Sequence, residues 1–248
     1  MADWNDPRST RPGFGTAPGL DGRVAARPTV DAGLRKYMLS IYNYMTSGVL
    51  LTGIVALLFA RSGMAVTVLS GGLGWLIMLA PLAIVFAMSF GANKFQTSTL
   101  QALFWAFATL MGLSLSTIFL VYTGGSIAAT FFATAGAFAG LSLYGYTTER
   151  DLSAFGTFLV MGVIGLIFAS LLNLWLHSAG LMWAVSFLGV LIFAGLTAWD
   201  TQRLKASYYQ LRGTEFAGKM IVLGALSLYL DFINMFLFLL RCMGNNRS

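Results

Sequence analysis

Two aspartates, Asp200 and Asp231, lie inside long apolar segments of this chain, and their type and setting point to chemistry. The chain has nine acids in 248 residues. The others are Asp3, Asp6, Asp21 and Asp31 near the start, and Glu149, Asp151 and Glu215 in polar breaks. An ionisable group inside a membrane span is expensive and is usually functional. Each of the two aspartates also sits on a polar stripe. In the last apolar segment Gly224, Ser227, Asp231, Asn234 and Arg241 recur at three-, four- or seven-residue steps, along one helix face. In the segment before it Ser186, Gly189, Thr197 and Asp200 do much the same. Two such stripes face each other rather than lipid. A buried carboxylate then needs a partner: the other carboxylate, Arg203, Arg241 or Asn234.

If the two carboxylates meet, they cannot both stay ionised cheaply, and they share one proton. That proton ties two helices together. Its loss pushes them apart, or leaves a dianionic oxygen site suited to a hard cation such as Ca²⁺. The expected chemistry is a proton-controlled cation path. Asp200 and Asp231 are the pH-sensing pair and a transient Ca²⁺ site, with Arg241, Asn234, Ser227 and Thr197 in support. The plain alternative for Asp200 is a residue at the inner interface, where a helix-end charge is cheap.

The elements that position these residues follow from composition. The chain is 57% hydrophobic and 10% charged, with mean hydropathy +0.76. A soluble domain carries about 25% charged residues. This surface must therefore face lipid. Segments long enough to cross a bilayer fall at 37–60, 73–92, 99–122, 125–146, 153–176, 180–200 and 219–240. Breaks stand at Arg61–Ser62–Gly63 with Gly71–Gly72, at Asn93–Lys94, at a tight Gly124–Gly125 hairpin, at Glu149–Arg150–Asp151 and at His177–Ser178. The last is a polar stretch from Arg203 to Lys219. The expected fold is all-α, a seven-helix membrane bundle over residues 35–243. A disordered tail, 1–34, holds four of the five prolines, and a short tail, 244–248, ends the chain. On these boundaries Asp231 lies about 18 Å beyond Lys219 along its helix, deeper than Asp200. The two are level only if the sixth helix runs further or the seventh starts in water near Thr214.

The charges set an orientation. The tail up to Lys36, then Lys94, Arg150, Arg203, Lys205, Arg212 and Lys219, fall on one side, against Arg61 in the loops of the other, with Arg241 and Arg247 at the C-terminal end as mild exceptions. Basic residues stay cytoplasmic, which puts the N-terminus inside and, after seven spans, the C-terminus outside. Trp75, Trp175 and Trp183 then mark outer ends and Trp199 an inner one. Gly136 and Gly140, with Gly162 and Gly165, are expected to let helices approach closely.

Several function classes drop out. The net charge of +6 serves topology rather than nucleic acid, since no basic face alternates with aromatics. One cysteine, Cys242, and one histidine, His177, leave no thiol cluster or His-rich metal site within the chain. An intramembrane aspartyl protease would carry Gly-x-Gly-Asp where this chain has Leu228-Tyr229-Leu230-Asp231, and a later Pro-Ala-Leu, whereas no proline follows Pro81. A retinal protein needs a mid-span lysine in its last helix, where Lys219 stands only at the mouth. A seven-helix receptor would place its N-terminus outside. No enzyme and no cofactor is expected.

The chain resembles the Bax inhibitor-1 (transmembrane Bax inhibitor motif) family, in its bacterial branch. The resemblance rests on Tyr42-Asn43-Tyr44-Met45, Tyr144-Gly145-Tyr146-Thr147-Thr148 and Ala198-Trp199-Asp200-Thr201-Gln202. Leu228-Tyr229-Leu230-Asp231-Phe232-Ile233-Asn234 and the run from Phe236 to Arg241 complete it. It covers residues 35–243. It implies seven helices, one of them central and wrapped by the others, a pH-sensitive calcium leak, and in some members modulation of a membrane-bound protease or of cell death. The family's aspartate pair maps onto Asp200 and Asp231, its basic residue at the end of the last helix onto Arg241. It further implies a bacterial inner-membrane location. The alternative reading is a non-conducting regulator of such a protease or another membrane partner. One departure stands out: relatives can carry a charged partner on the second helix, and residues 73–92 carry no charge.

Overall fold

The computed structural model describes residues 32–245 of the chain. The tail expected at 1–34 lies outside the described residues up to 31, and the last three residues of the C-terminal tail do as well. The described residues form α1 (Ala32–Arg61), α2 (Met64–Ser70), α3 (Gly72–Gly91), α4 (Thr97–Leu115), α5 (Ile118–Val121), α6 (Gly124–Thr147), α7 (Ser153–Leu176), α8 (Ala179–Leu211) and α9 (Phe216–Met243). Seven spans are long and apolar enough to cross a membrane, α4 and α5 making the third as Thr97–Val121. The protein is an all-α polytopic membrane protein.

The last helix, α9, is the axis. It packs on α1, α4, α6 and α8, and Val222, Ala225, Leu228 and Tyr229 along it are fully buried. Tyr229 receives Phe104 and Phe107 edge-on, at ring-centre distances of 6.3 and 5.0 Å. Its hydroxyl lies 2.7 Å from Thr52 Oγ1, which donates to Ala108 O at 2.8 Å. The threonine has one proton to give, so Tyr229 donates to it, and one buried chain joins α9, α1 and α4. The outer helices α3 and α7 turn Leu76, Leu79, Phe158 and Phe168 outward, as lipid-facing surfaces require.

Three expected boundaries differ from the structure. The largest difference is at the stretch from Arg203 to Lys219, expected as a loop. There α8 continues to Leu211, and α9 begins at Phe216. The helix continues because Phe193, Leu196, Leu204, Tyr208 and Leu211 keep a helical apolar stripe under the polar residues. Leu204 is fully buried against Gly224. Gly213, at φ 82°, takes the left-handed turn between the two helices. Gly124 and Gly125 are not the hairpin but the first turn of α6, capped by Thr123 Oγ1, which accepts from Ser126 N at 3.3 Å. The first break holds the short α2, and α1 starts at Ala32.

The expected close approach at Gly136 and Gly140 is not made among the described residues. Both are exposed, and a methyl group added at either would meet nothing. Gly165 is likewise open, and only Gly162 touches a neighbour, Ile192. The helices approach instead at Gly145, where α6 runs against the backbone carbonyl of Ala198, and at Gly156, where α7 meets the Trp199 indole. Trp75, Trp175 and Trp183, expected to mark outer ends, are exposed. Trp199, expected near an inner helix end, is a packed residue in the body of α8.

Candidate functional site

The longer α8 and earlier α9 bring the two aspartates within electrostatic range. The helix from Asp200 to the end of α8 at Leu211 is as long as the helix from the start of α9 at Phe216 to Ser227. At about 1.5 Å per residue both Asp200 and Ser227 stand about 16 Å from the turn between the helices, and Asp231 lies one helical turn deeper. The depth mismatch expected from the shorter spans shrinks to that one turn, about 6 Å.

Asp200 and Asp231 are 4% and 5% exposed. Ser227 donates its hydroxyl to Asp200 Oδ2 across the α8–α9 contact. The other oxygen, Oδ1, pairs with the Arg203 guanidinium at 3.3 Å, without hydrogen-bond geometry. Arg203 is half exposed and also lies over the Trp199 ring at 4.8 Å. Among the described residues the Asp200 carboxylate and the Arg203 guanidinium stand close enough for their charges to be felt at Asp231. Asp231 Oδ2 is buried and accepts no hydrogen bond from the described residues. Asp200 is thus held from both sides, while Asp231 keeps an oxygen without a donor.

The run Ala198-Trp199-Asp200-Thr201-Gln202 shows why these residues occur together. The Ala198 carbonyl seats against Gly145, and the Trp199 indole against Gly156. Thr201 lies 3.4 Å from Ser142 on α6 and donates to Thr197 O at 2.8 Å. Gln202 accepts from Leu152 N at 2.9 Å and donates to Arg150 O at 2.7 Å, tying α8 to the α6–α7 loop. The residues on either side of Asp200 are each fixed by a neighbour, and that packing aims Asp200 at α9.

The supporting set divides. Ser227 reaches the acids. Thr197 donates to Phe193 O and Asn234 to Leu230 O, each at 2.8 Å within its own helix, so neither serves a carboxylate. Arg241 is exposed, lying 5.7 Å from the centre of the Phe238 ring. It stands about 15 Å beyond Asp231 along α9, too far to be the counter-ion. Arg203 takes that place, which a three-residue spacing on α8 makes possible. The bonds of Thr52, Tyr229 and Gln202 were not legible in the chain, since they link residues distant in sequence. Among the described residues no three acidic, histidine or cysteine side chains cluster as a metal cage would need.

Residues 34–248 match the family described as Inhibitor of apoptosis-promoting Bax1. The chain belongs to the Bax inhibitor-1 family. It is 50% identical over 220 residues to the Inner membrane protein YbhL of Escherichia coli K12, covering 87% of this chain and 94% of that one. It is 48% identical over 223 residues to the uncharacterized protein RP147 of Rickettsia prowazekii, covering 89% and 94%. It is 34% identical over 220 residues to the uncharacterized membrane protein SpyM3_0260 of Streptococcus pyogenes, covering 87% and 95%. The Bax inhibitor-1 match begins at residue 34, in the first turn of α1, so it takes in every span.

Proposed function

We propose that the chain is a pH-responsive Ca²⁺ leak pathway of the bacterial inner membrane, switched by Asp200 and Asp231. The observation that carries this reading is the unpartnered Oδ2 of Asp231, buried one helical turn from an Asp200 that Ser227 and Arg203 hold. A carboxylate oxygen in that setting is satisfied by a proton or by a cation, because a bare buried charge is too costly. With one proton between them the two acids hold α8 on α9. With the proton gone, two negative groups repel across the contact, and Arg203 offsets them only in part. An arriving Ca²⁺ takes the carboxylate oxygens and completes its shell with backbone carbonyls and water, since six to eight oxygens are needed. That is a passing ion's coordination rather than a resident one's. The family membership and the inner-membrane name of the Escherichia coli relative support the location, and the basic loops support a cytoplasmic N-terminus and an outer C-terminus.

The test is Ca²⁺ entry into liposomes holding the purified chain and an enclosed indicator. Flux that changes steeply with pH in the wild type, and not in Asp231→Asn, supports the leak. Silence at every pH, with the protein folded, replaces it with the second reading, a non-conducting regulator of a membrane-bound protease.

A further inference from the structure

α1 packs on α4 and α9, and α6 packs on α8 and α9. A groove of about 700 Å³ is left between α1 and α6. Its walls are apolar, Met38 and Met45 on one side and Phe138 and Ala139 on the other, and Phe232 of α9 forms its floor. The groove is open along one side, toward the lipid, and its lining carries one charge, Arg35.

We propose that this groove binds one acyl chain of an anionic phospholipid from the leaflet at the N-terminal end of α1, with the phosphate on Arg35. Length argues for a lipid of one leaflet. From Arg35 to Leu50 the lining of α1 runs about 22 Å, against about 15 Å for half the hydrocarbon core and the headgroup layer beyond it. Beyond that point the space narrows at Val49, Phe131 and Phe232, which also line a separate cavity of about 270 Å³ further along. Volume argues for a chain rather than a helix. The groove has room for about twenty water-sized groups, the scale of one acyl chain, whereas a spanning helix is about 10 Å across. Unbranched methionine walls adapt to a flexible chain.

Charge argues for an anionic head. Arg35 has no ion-pair or hydrogen-bond partner among the described residues. Behind the facing wall, Lys205 of α8 donates Nζ to Tyr146 O at 2.8 Å and lies 5.3 Å from the Tyr146 ring centre, outside the groove lining. Tyr146 lines the same end of the groove as Arg35. One cation at the mouth of the groove and none along its walls is the pattern of a phosphate-headed amphiphile.

Native mass spectrometry of the full chain in detergent tests this, with phosphatidylglycerol and phosphatidylcholine of identical chains as probes. The wild type should retain one phosphatidylglycerol, about fivefold in preference to phosphatidylcholine, the effect of one basic residue at an anionic surface. Arg35→Gln should abolish the preference. Ala139→Trp, which fills the groove, should abolish retention of both lipids. Ala133→Trp, on the exposed face of α6 outside the groove, should retain them. Equal retention of the two lipids by the wild type, or an unchanged preference in Arg35→Gln, overturns the headgroup assignment. Lipid kept by Ala139→Trp as by Ala133→Trp overturns the groove, as does a protein dimer that excludes lipid. Should Ala139→Trp fail to fold, the Arg35→Gln comparison decides alone.

Discussion

Ser227 on α9 stands level with Asp200 on α8 and gives it a hydrogen bond across the helix contact. That bond fixes the register of the two helices, and with it the single-turn offset between Asp200 and Asp231. The serine occupies one carboxylate oxygen and Arg203 the other. Asp231, one turn deeper, is left to a proton or an ion.

Ser227→Ala should therefore do more than remove a hydroxyl. It leaves a buried carboxylate oxygen unpaired, at a cost of about 1–3 kcal/mol. Thermal melting in detergent should show the loss. In an Asp200→Asn background the same change should cost clearly less, because the two residues act through one bond. Equal losses in both backgrounds would show that the serine does not serve the aspartate.

Gly145→Ala tests the seat of the Ala198-to-Gln202 run. A methyl group there meets the Ala198 carbonyl, which is backbone and cannot swing aside. Separation of α6 from α8 should cost about 1–3 kcal/mol by overpacking. Gly136→Ala, one helix face away in open space, should melt as the wild type does or slightly higher. Reversed effects would mean that α6 faces the other way.

Those two glycines show what the chain did and did not disclose. The spacing of Gly136 and Gly140 follows a packing pattern, yet the pattern carries no information about which face a neighbour covers. Gly145 has no packing pattern around it, and its role is set by the carbonyl of Ala198, two helices further along the chain. The seven spans and the two acids were legible, because apolar runs and rare charges are local signals. The end of α8 was not. The average polarity of the stretch after Arg203 hid the buried Leu204 and the stripe it belongs to. Arg203 outranks Arg241 as counter-ion for the same reason: proximity follows from helix length, which that average conceals.

Asp151 gives a pH effect outside the membrane. Its carboxylate accepts from Ser153 N at 2.9 Å, and hydrogen bonds from the Ser153 side chain and backbone hold it below the usual carboxylate range. A lowered carboxylate adds stability above its unfolded value, near pH 4, and that contribution is lost as pH falls through the folded value. Carboxyl-carbon NMR should find Asp151 titrating below about pH 4. Ser153→Ala should move it partway back, since the backbone donor stays. A titration at the ordinary value in the wild type would contradict this. The exposed Asp151 is thereby separated from any response nearer neutrality.

Orientation can be read with reporter fusions ahead of Ala32 and after Asn245. The first should report the cytoplasm and the second the outer side, as seven spans and the basic loops require. Both ends on one side would remove one span from the bundle.

The most direct test of the aspartate switch is Ca²⁺ flux against pH in liposomes for the wild type, Asp200→Asn, Asp231→Asn and the double variant. Asparagine keeps the shape and removes the ionisation. A shared proton belongs to the pair, so each single change should flatten the pH profile and the second should add little. Wild-type profiles in the single variants, or effects that simply add, would contradict the switch and return Asp200 to the role of a structural link between α8 and α9.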